Sequence, residues 1–232
     1  MLELRRSLDR GYANHGGLKS YHTFSFGEYY DPVYEEYGPL RVINEDRLKP
    51  GKGYETAAPP DMEILTYMLA GELEHRDSFG NTCVIRPGSM QRWSAGTGAT
   101  QSELNPSSSQ EAHLLQIWIR PAAPGLTSGY EHRHFSADER RGRLQLAVSP
   151  TGEDGAVRIQ QDARVYIGCL NGAERAEFEV GKGRRAYAHV ASGSIAVNET
   201  RLNAGDGVKI TKPGRFALQS GRAAEVLVFD LP

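Results

Sequence analysis

Short runs of alternating apolar and polar residues dominate the chain, and helical periodicity is nearly absent. Runs of period two that are bounded by Gly, Pro, Asn and Asp predict β-strands joined by short turns. Residues 78–81 predict one hairpin turn, because Gly and Asn tolerate positive φ. The predicted strands are residues 40–45, 62–69, 72–77, 82–86, 113–119, 144–148, 165–169, 184–190, 194–198, 207–210 and 225–231. Their regular spacing predicts an all-β sandwich or barrel.

A change of composition after Ile119 predicts a division of the chain. Residues 120–125 (Arg-Pro-Ala-Ala-Pro-Gly) are typical of a linker, and residues 131–143 are rich in charge before strand-like sequence resumes. Glycines recur at similar intervals in the two halves, which indicates two domains of one type. We predict an N-terminal domain over residues 1–120, a linker over 121–143 and a C-terminal domain over 144–232.

The composition excludes several classes of protein. The chain of 232 residues has 27 Lys and Arg against 29 Asp and Glu, so its net charge is −2 and we expect no nucleic-acid partner. No window approaches the roughly 20 apolar residues of a membrane-spanning helix, so we expect no membrane segment. The first residues lack the apolar core of a signal peptide, which predicts a cytoplasmic protein.

The two cysteines, Cys83 and Cys169, have neither CxxC nor zinc-site spacing. Both alternate in phase with apolar neighbours, which predicts two buried, reduced thiols. A redox-sensing role is the alternative, and it would require an exposed thiol with a lowered pKa.

The stretch from Gly51 to Asn105 has the glycine and glutamate spacing of the two cupin motifs. Ala57 and Pro59 occupy the positions of its His-x-His pair, and Gln101 occupies the position of its last His. Longer ordered runs then match one cupin family in particular. These runs are residues 13–18, 21–32, 40–44, 61–67, 94–98, 105–107 and 116–119. Over about residues 1–120 the chain resembles the pirins, including bacterial pirin-like quercetinases, and residues 144–232 more weakly resemble the pirin C-terminal cupin.

The resemblance to pirins implies an all-β bicupin with two antiparallel barrel or jelly-roll domains. It also implies one metal ion, usually iron, held in the N-terminal barrel by three His and one Glu. Aligned on residues 61–63, the four ligand positions fall on Ala57, Pro59, Gln101 and Glu103, and only Glu103 keeps the family's residue. The matching first-motif positions in the second half, 179 and 181, are Glu and Gly.

This donor set does not suit a redox-active iron, which needs imidazoles and carboxylates that converge. Ala57 and Pro59 have no donor side chain, Gln101 has a neutral amide, and Glu103 alone cannot replace a four-ligand cage. We therefore expect no bound cofactor, no intact metal site and no catalytic residue of the family's kind.

The remaining histidines offer little to rebuild the site. His132 and His134 have the spacing that puts two side chains on one face of a strand, but their charged stretch favours solvated or capping roles over metal binding. The others are predicted as hydrogen-bonded core or rim residues (His22 and His113), as a strand residue near solvent (His75) and as a residue that could line the second barrel (His189).

Glu103 has two interpretations. A lone buried carboxylate is unfavourable unless it is paired or hydrated, so it would be satisfied by water, Gln101 or a cation. Alternatively its pKa is raised and it acts as an acid or base on a small molecule. Trp93 and Trp118 are predicted at the core or rim, where an aromatic cavity would suit a small planar ligand.

Three functional hypotheses follow. The first is a non-enzymatic pirin-like protein that binds a small molecule or a protein partner. The second is a quercetinase-like dioxygenase, or another enzyme, with a site rebuilt around Glu103. The third is a redox- or stress-responsive protein that uses Cys83 or Cys169.

Overall fold

The computed structural model describes residues 2–57, 61–96 and 100–232, with the side chains of Thr56 and Ala57 left out. In these residues the chain is almost entirely antiparallel β-structure, as predicted, with one α-helix, α1 (Ala137–Arg140). The strands are β1 (Leu2–Arg5), β2 (Gly11–Asn14), β3 (Leu18–His22), β4 (Leu40–Leu48), β5 (Gly53–Ala57), β6 (Glu63–Ala70), β7 (Leu73–Asp77), β8 (Thr82–Ile85), β9 (Ser89–Ser94), β10 (Thr100–Leu104), β11 (Ala112–Ile119), β12 (Gly129–His134), β13 (Gln145–Ser149), β14 (Val157–Arg158), β15 (Arg164–Leu170), β16 (Ala176–Val180), β17 (Arg185–Val197), β18 (Thr200–Asn203), β19 (Gly207–Ile210) and β20 (Gly214–Leu231).

The N-terminal unit comprises residues 11–134 and 157–161 and contains two sheets. The large sheet has the order β12–β9–β6–β11–β4–β3–β2, and the small sheet has the order β5–β10–β7–β8. Leu73 and Ile85 of the small sheet pack into one cluster with Leu48, Met68 and Leu114 of the large sheet, so the two sheets lie face to face. The arrangement is an open jelly-roll sandwich rather than a closed barrel.

The C-terminal unit comprises residues 2–10, 135–156 and 162–232. Its sheet has the order β1–β19–β17–β20–β15–β13, with β16 paired to β20 and β18 paired to β17. One apolar cluster fills its interior and includes Ile195, Val197, Leu218 and Val226. No helix in the described residues is long and apolar enough to span a membrane.

The first strand belongs to the C-terminal unit, and part of the predicted linker forms a strand of the N-terminal unit. β1 pairs with β19, so the start of the chain belongs to the C-terminal unit. β12, within the predicted linker, pairs with β9 along its whole length. The short α1 follows the N-cap Ser136, whose side chain accepts a hydrogen bond from the backbone N–H of Glu139 in a capping box.

A row of polar residues in register crosses the large sheet. We call this set the polar row, and its members are His22, Asn44, Gln116, Thr66, Gln91 and His132. One apolar cluster, around Trp93 and Trp118, lies on one side of the row, and the cluster around Leu48 and Leu114 lies on the other. The sandwich therefore has a polar layer between two apolar ones.

Gly71, in the turn between β6 and β7, is required by both its backbone conformation and its surroundings. Its φ is 74°, and a Cβ there would lie 2.6 Å from the Glu111 carbonyl oxygen. We expect Gly71→Ala to lower the free energy of unfolding by about 2–4 kcal/mol, because strain and overpacking add. Urea denaturation would measure the change.

Gly80→Ala is the matched control. Gly80 also has positive φ, at 89°, but a Cβ there meets nothing within 4 Å. The Gly80→Ala variant should have a free energy of unfolding about 1 kcal/mol lower than the parent, from backbone strain alone. Equal losses in the two variants would contradict the packing argument.

Candidate functional site

The carboxylate of Glu103 lies between the two sheets of the N-terminal unit and is 1% exposed. Tyr54 Oη donates to its Oε2 at 2.8 Å, while Thr66 Oγ1 and Gln91 Nε2 donate to its Oε1 at 3.1 and 2.6 Å. Burial raises the pKa of Glu103, although these hydrogen bonds oppose the shift. This confirms the raised pKa predicted in one interpretation, and the partners are neutral donors rather than Gln101 or a cation.

Tyr54 and Gln116 extend this network away from Glu103. Gln116 Nε2 donates to Tyr54 Oη at 3.1 Å, and Trp118 Nε1 donates to Gln116 Oε1 at 3.0 Å. Burial, and next the charge of Glu103, raise the pKa of Tyr54 well above its usual value. Tyr54 therefore keeps its proton and holds it against the Glu103 carboxylate.

A second branch runs from Glu103 towards β12. Gln91 Oε1 accepts a hydrogen bond from Tyr130 Oη at 3.1 Å, and the Tyr130 ring stacks on His75 at a centroid distance of 4.4 Å. His75 is fully buried, so the prediction of a solvent-side residue was wrong. Its flanking Glu74 and Arg76 suggested a polar surface, but in a strand the middle residue faces the opposite side. Burial lowers the pKa of His75.

A pocket of about 620 Å³ lies on the Tyr54 side of Glu103. We call it the Tyr54 pocket. Its polar wall includes the buried or half-buried residues Ser20, His22, Asn44, Asp46, Tyr54 and Gln116, its aromatic wall includes Tyr12, Phe26, Tyr29 and Trp118, and the exposed residues Asn14, His15, Glu28 and Glu55 also line it. A volume of this size and a mixed aromatic and polar lining are typical of small-molecule sites.

Asp46 is the ionisable group of this pocket that the sequence did not single out. It is 4% exposed, and its Oδ1 accepts a hydrogen bond from Ser20 Oγ at 2.5 Å. Burial raises its pKa to about 7, and the charges of Glu103 and Glu45 add to the shift. The predicted strand 40–45 ended three residues before the end of β4 at Leu48, because Glu45, Asp46 and Arg47 resemble a polar strand end. Strand alternation could have shown that Asp46 faces inward with Asn44.

Of the four family ligand positions, the side chains of Gln101 and Glu103 lie within the described residues. Ala57 pairs through its backbone with Thr100, its side chain is not described, and Pro59 lies outside the described residues. Gln101 is buried, and within the described chain neither end of its amide has a hydrogen-bond partner. Over residues 2–57, 61–96 and 100–232, no three His, Cys, Asp or Glu side chains form a group suited to a metal.

The other predicted histidines have structural partners. His22 is buried with Nδ1 2.8 Å from Asn44 Oδ1, and His113 Nε2 is 2.9 Å from Glu45 Oε1, which confirms both as hydrogen-bonded core or rim residues. His134 is exposed, and its Nδ1 lies 3.3 Å from Ser89 Oγ. His189 is buried in β17 of the C-terminal unit.

The two thiols are free but only half-buried, so the prediction of fully buried cysteines was wrong in degree. Cys83 Sγ lies 3.5 Å from His132 Nε2 at the edge of the sandwich. Burial, and next the charge of Glu225, raise the pKa of Cys169 to about 11. The redox hypothesis stays a prediction, and Cys83 is the better candidate of the two.

The pirin family model matches residues 3–119. The chain belongs to the pirin family. A second family model, the quercetinase C-terminal cupin domain, matches residues 146–231 of this pirin. The bicupin architecture implied by the sequence is thereby confirmed.

Known pirins match over the whole chain. Quercetin 2,3-dioxygenase of Escherichia coli K12 is 42% identical over 232 residues, which are 100% of this chain and 99% of that protein. A pirin-like protein of Caulobacter vibrioides is 35% identical, over 97% of this chain and 98% of its own.

Crystal structures of YhhW from Escherichia coli have the same fold at 40% identity. One has a TM-score of 0.92, over 100% of this chain and 98% of that one. Another, bacterial pirin YhhW in complex with nickel(II), has a TM-score of 0.91 over 100% of this chain and 99% of that one. The names of these relatives favour the enzymatic hypothesis over the non-enzymatic one.

Asp46 should make the stability of this pirin depend on pH. Its pKa is about 7 when folded and about 3.9 when unfolded, so the folded state binds the extra proton between these values. The stabilisation by that proton is complete at low pH and is lost as pH rises from about 4 to 7. The Asp46→Asn side chain does not titrate. The free energy of unfolding of this variant, relative to that of the parent, should therefore rise by about 2–4 kcal/mol between pH 4 and pH 8. Urea unfolding at several pH values would measure this, and a constant difference would contradict it.

The thiols should react at different rates. At pH 8 the raised pKa leaves about one Cys169 thiol in a thousand ionised, and the thiolate is the nucleophile. We expect iodoacetamide to modify Cys83 at least about tenfold faster, as measured by peptide mass spectrometry. Cys83→Ser and Cys169→Ser identify the two rates, and equal rates would contradict the prediction.

Proposed function

We propose that this pirin is a quercetinase-like enzyme whose reaction centre is built around Glu103 and not around the family's metal. Glu103 carries the proposal, because its buried carboxylate is linked through Tyr54 to a pocket of ligand size. The names of the relatives supply the substrate class, which is quercetin and similar planar, polyhydroxylated aromatic compounds.

The donor set supports a centre without the family's metal. Of the four positions, Ala57 and Pro59 have no ligating side-chain atom, and Gln101 offers a neutral amide. Glu103 already accepts three hydrogen bonds from neutral donors, which stabilise a carboxylate without a cation. The residues at these positions do not fit a metal bound in the family's way.

Proton transfer is the step that the chain's own residues support. The phenolic oxygen of Tyr54 has two lone pairs, and Gln116 donates to it once, so a ligand hydroxyl can donate to the other. As the ligand O–H bond breaks, its proton passes to Tyr54 Oη and the Tyr54 proton passes to Glu103 Oε2. The ligand becomes an anion and Glu103 becomes neutral. A flavonol anion is more electron-rich than its parent, which favours its reaction with dioxygen.

The aromatic wall of the Tyr54 pocket supports a planar ligand. Phe26 and Trp118 meet edge to face at a centroid distance of 5.4 Å, and His22 lies 5.2 Å from Phe26. Offset and edge contacts of this kind add about 0.5–1.5 kcal/mol per pair beyond the area buried. The non-enzymatic hypothesis places the same ligand in the same pocket without turnover, and a protein partner stays a prediction.

Oxygen uptake with quercetin tests the proposal. Glu103→Gln removes the proton acceptor and should lower kcat by about 100-fold or more, within the usual range for a lost acid–base group. Tyr54→Phe interrupts the relay while Glu103 stays in place, and it should lower kcat by about 10-fold to 100-fold. An oxygen electrode and the loss of quercetin absorbance would measure both.

Glu111→Gln is the control, because Glu111 is an exposed carboxylate paired with Arg47. It should keep the parental rate. Prior dialysis against a chelator should change the parental rate by less than about twofold. Uptake that disappears with the chelator and returns with one metal per chain would contradict the metal-independent centre. Quercetin binding without uptake would favour the non-enzymatic hypothesis.

A further inference from the structure

Three carboxyl groups line the Tyr54 pocket without a part in the acid–base step, and Asp46 is the buried one, whereas Glu28 and Glu55 are exposed. Asp46 faces the pocket from β4, and Ser20 lies beside it in register on β3. Ser20 Oγ donates to Asp46 Oδ1 and lies 3.4 Å from His22 Nδ1, which in turn is 2.8 Å from Asn44 Oδ1. This side-chain network fixes the position of the Asp46 carboxyl at the pocket wall.

Two carboxyl groups therefore flank Tyr54. Glu103 accepts the Tyr54 proton, and the charge of Asp46 acts on Tyr54 from the pocket side. Glu103 and Asp46 also repel each other electrostatically when both are ionised. A nearby negative charge disfavours the ionised form of a buried carboxyl group, so the neutral form of Asp46 is favoured while Glu103 is ionised.

The surroundings identify Asp46 as the member that keeps the proton. Glu103 has three hydrogen-bond donors, whereas Ser20 is the donor that faces Asp46. Fewer donors stabilise the ionised form less. Its raised pKa agrees with this assignment. A protonated carboxyl can donate a hydrogen bond to a ligand, which a carboxylate cannot.

We propose that the Tyr54 pocket recognises a planar ligand by an adjacent hydroxyl and carbonyl, with the hydroxyl at Tyr54 and the carbonyl oxygen at the protonated Asp46. The assignment of the hydroxyl rests on the proposed function of Glu103, whereas the assignment of the carbonyl rests on Asp46 alone. The ligand class is the α-hydroxy-enone, which includes flavonols. Asp46 acts as a specificity-determining donor, and the aromatic wall holds the ring plane.

Calorimetric binding of quercetin and catechin to the full chain tests the inference. The two compounds share most of their hydroxyl groups, but catechin lacks the ring carbonyl. Asp46→Ala removes the donor and should weaken quercetin binding by about tenfold, as expected for a lost buried hydrogen bond. Asp46→Asn retains an N–H donor and should bind quercetin within about threefold of the parent. Catechin binding should be the same in all three proteins.

Ser20→Ala provides a second variant if Asp46→Ala does not fold. It releases Asp46 from its position and should weaken quercetin binding by about threefold, again without an effect on catechin. Equal quercetin affinities in the parent, Asp46→Ala and Ser20→Ala would overturn the inference. So would parallel losses for quercetin and catechin, because a structural defect would affect both.

The two proposals fail in different ways. If the Asp46 variants discriminate as expected but oxygen uptake is absent, the inference stands and the enzymatic proposal fails. If oxygen uptake depends on Glu103 but the Asp46 variants bind quercetin as tightly as the parent, the enzymatic proposal stands and the inference fails. If the parent does not bind quercetin, both are overturned.

Discussion

A carboxylate buried between two apolar clusters requires hydrogen-bond donors, since desolvation penalises its charge by several kcal/mol. Glu103 creates this requirement in the N-terminal unit. Its donors come from β5, β6 and β9, so one side chain fixes the relative positions of strands in both sheets. In the large sheet the polar row meets this requirement, because its members Thr66 and Gln91 donate hydrogen bonds to Glu103. The apolar clusters on either side keep water away and maintain the strength of each hydrogen bond.

The same constraint explains how the site is divided. Gln91 and Tyr130 extend the network towards His75, which stacks on Tyr130 and whose pKa is lowered by burial. On the other side Tyr54 lies between Glu103 and Asp46, and burial, together with the charges of both carboxyl groups, raises its pKa so that it remains protonated. Each polar side chain therefore has a proton state that its neighbours impose. Such a network can move a proton only when a ligand changes the balance, which suits a binding-triggered acid–base step.

The sequence predicted the strands and the family well, because both depend on local alternation and on long ordered motifs. It also singled out Glu103. Sequence analysis did not identify the donors to Glu103, because Tyr54, Thr66 and Gln91 lie on separate strands and none has a distinctive local pattern. Sequence analysis missed Asp46 for a different reason. Three charged residues in succession resemble a strand end, although strand alternation turns only every second side chain towards the interior. Long-range register, which short motifs do not encode, decided these positions.

The substitutions at the family ligand positions change the chemistry of the residue that remains. In a metal site the positive charge of the ion lowers the pKa of a carboxylate ligand, so the ligand has no proton to exchange. Where Ala57, Pro59 and Gln101 replace imidazoles, the charge of Glu103 is met by neutral donors alone, and burial raises its pKa. A carboxyl group with a raised pKa is better suited to accept and return a proton than one with an ordinary pKa. Under the proposed function, the Tyr54 pocket therefore serves a Glu103 that acts as an acid–base group instead of a metal ligand.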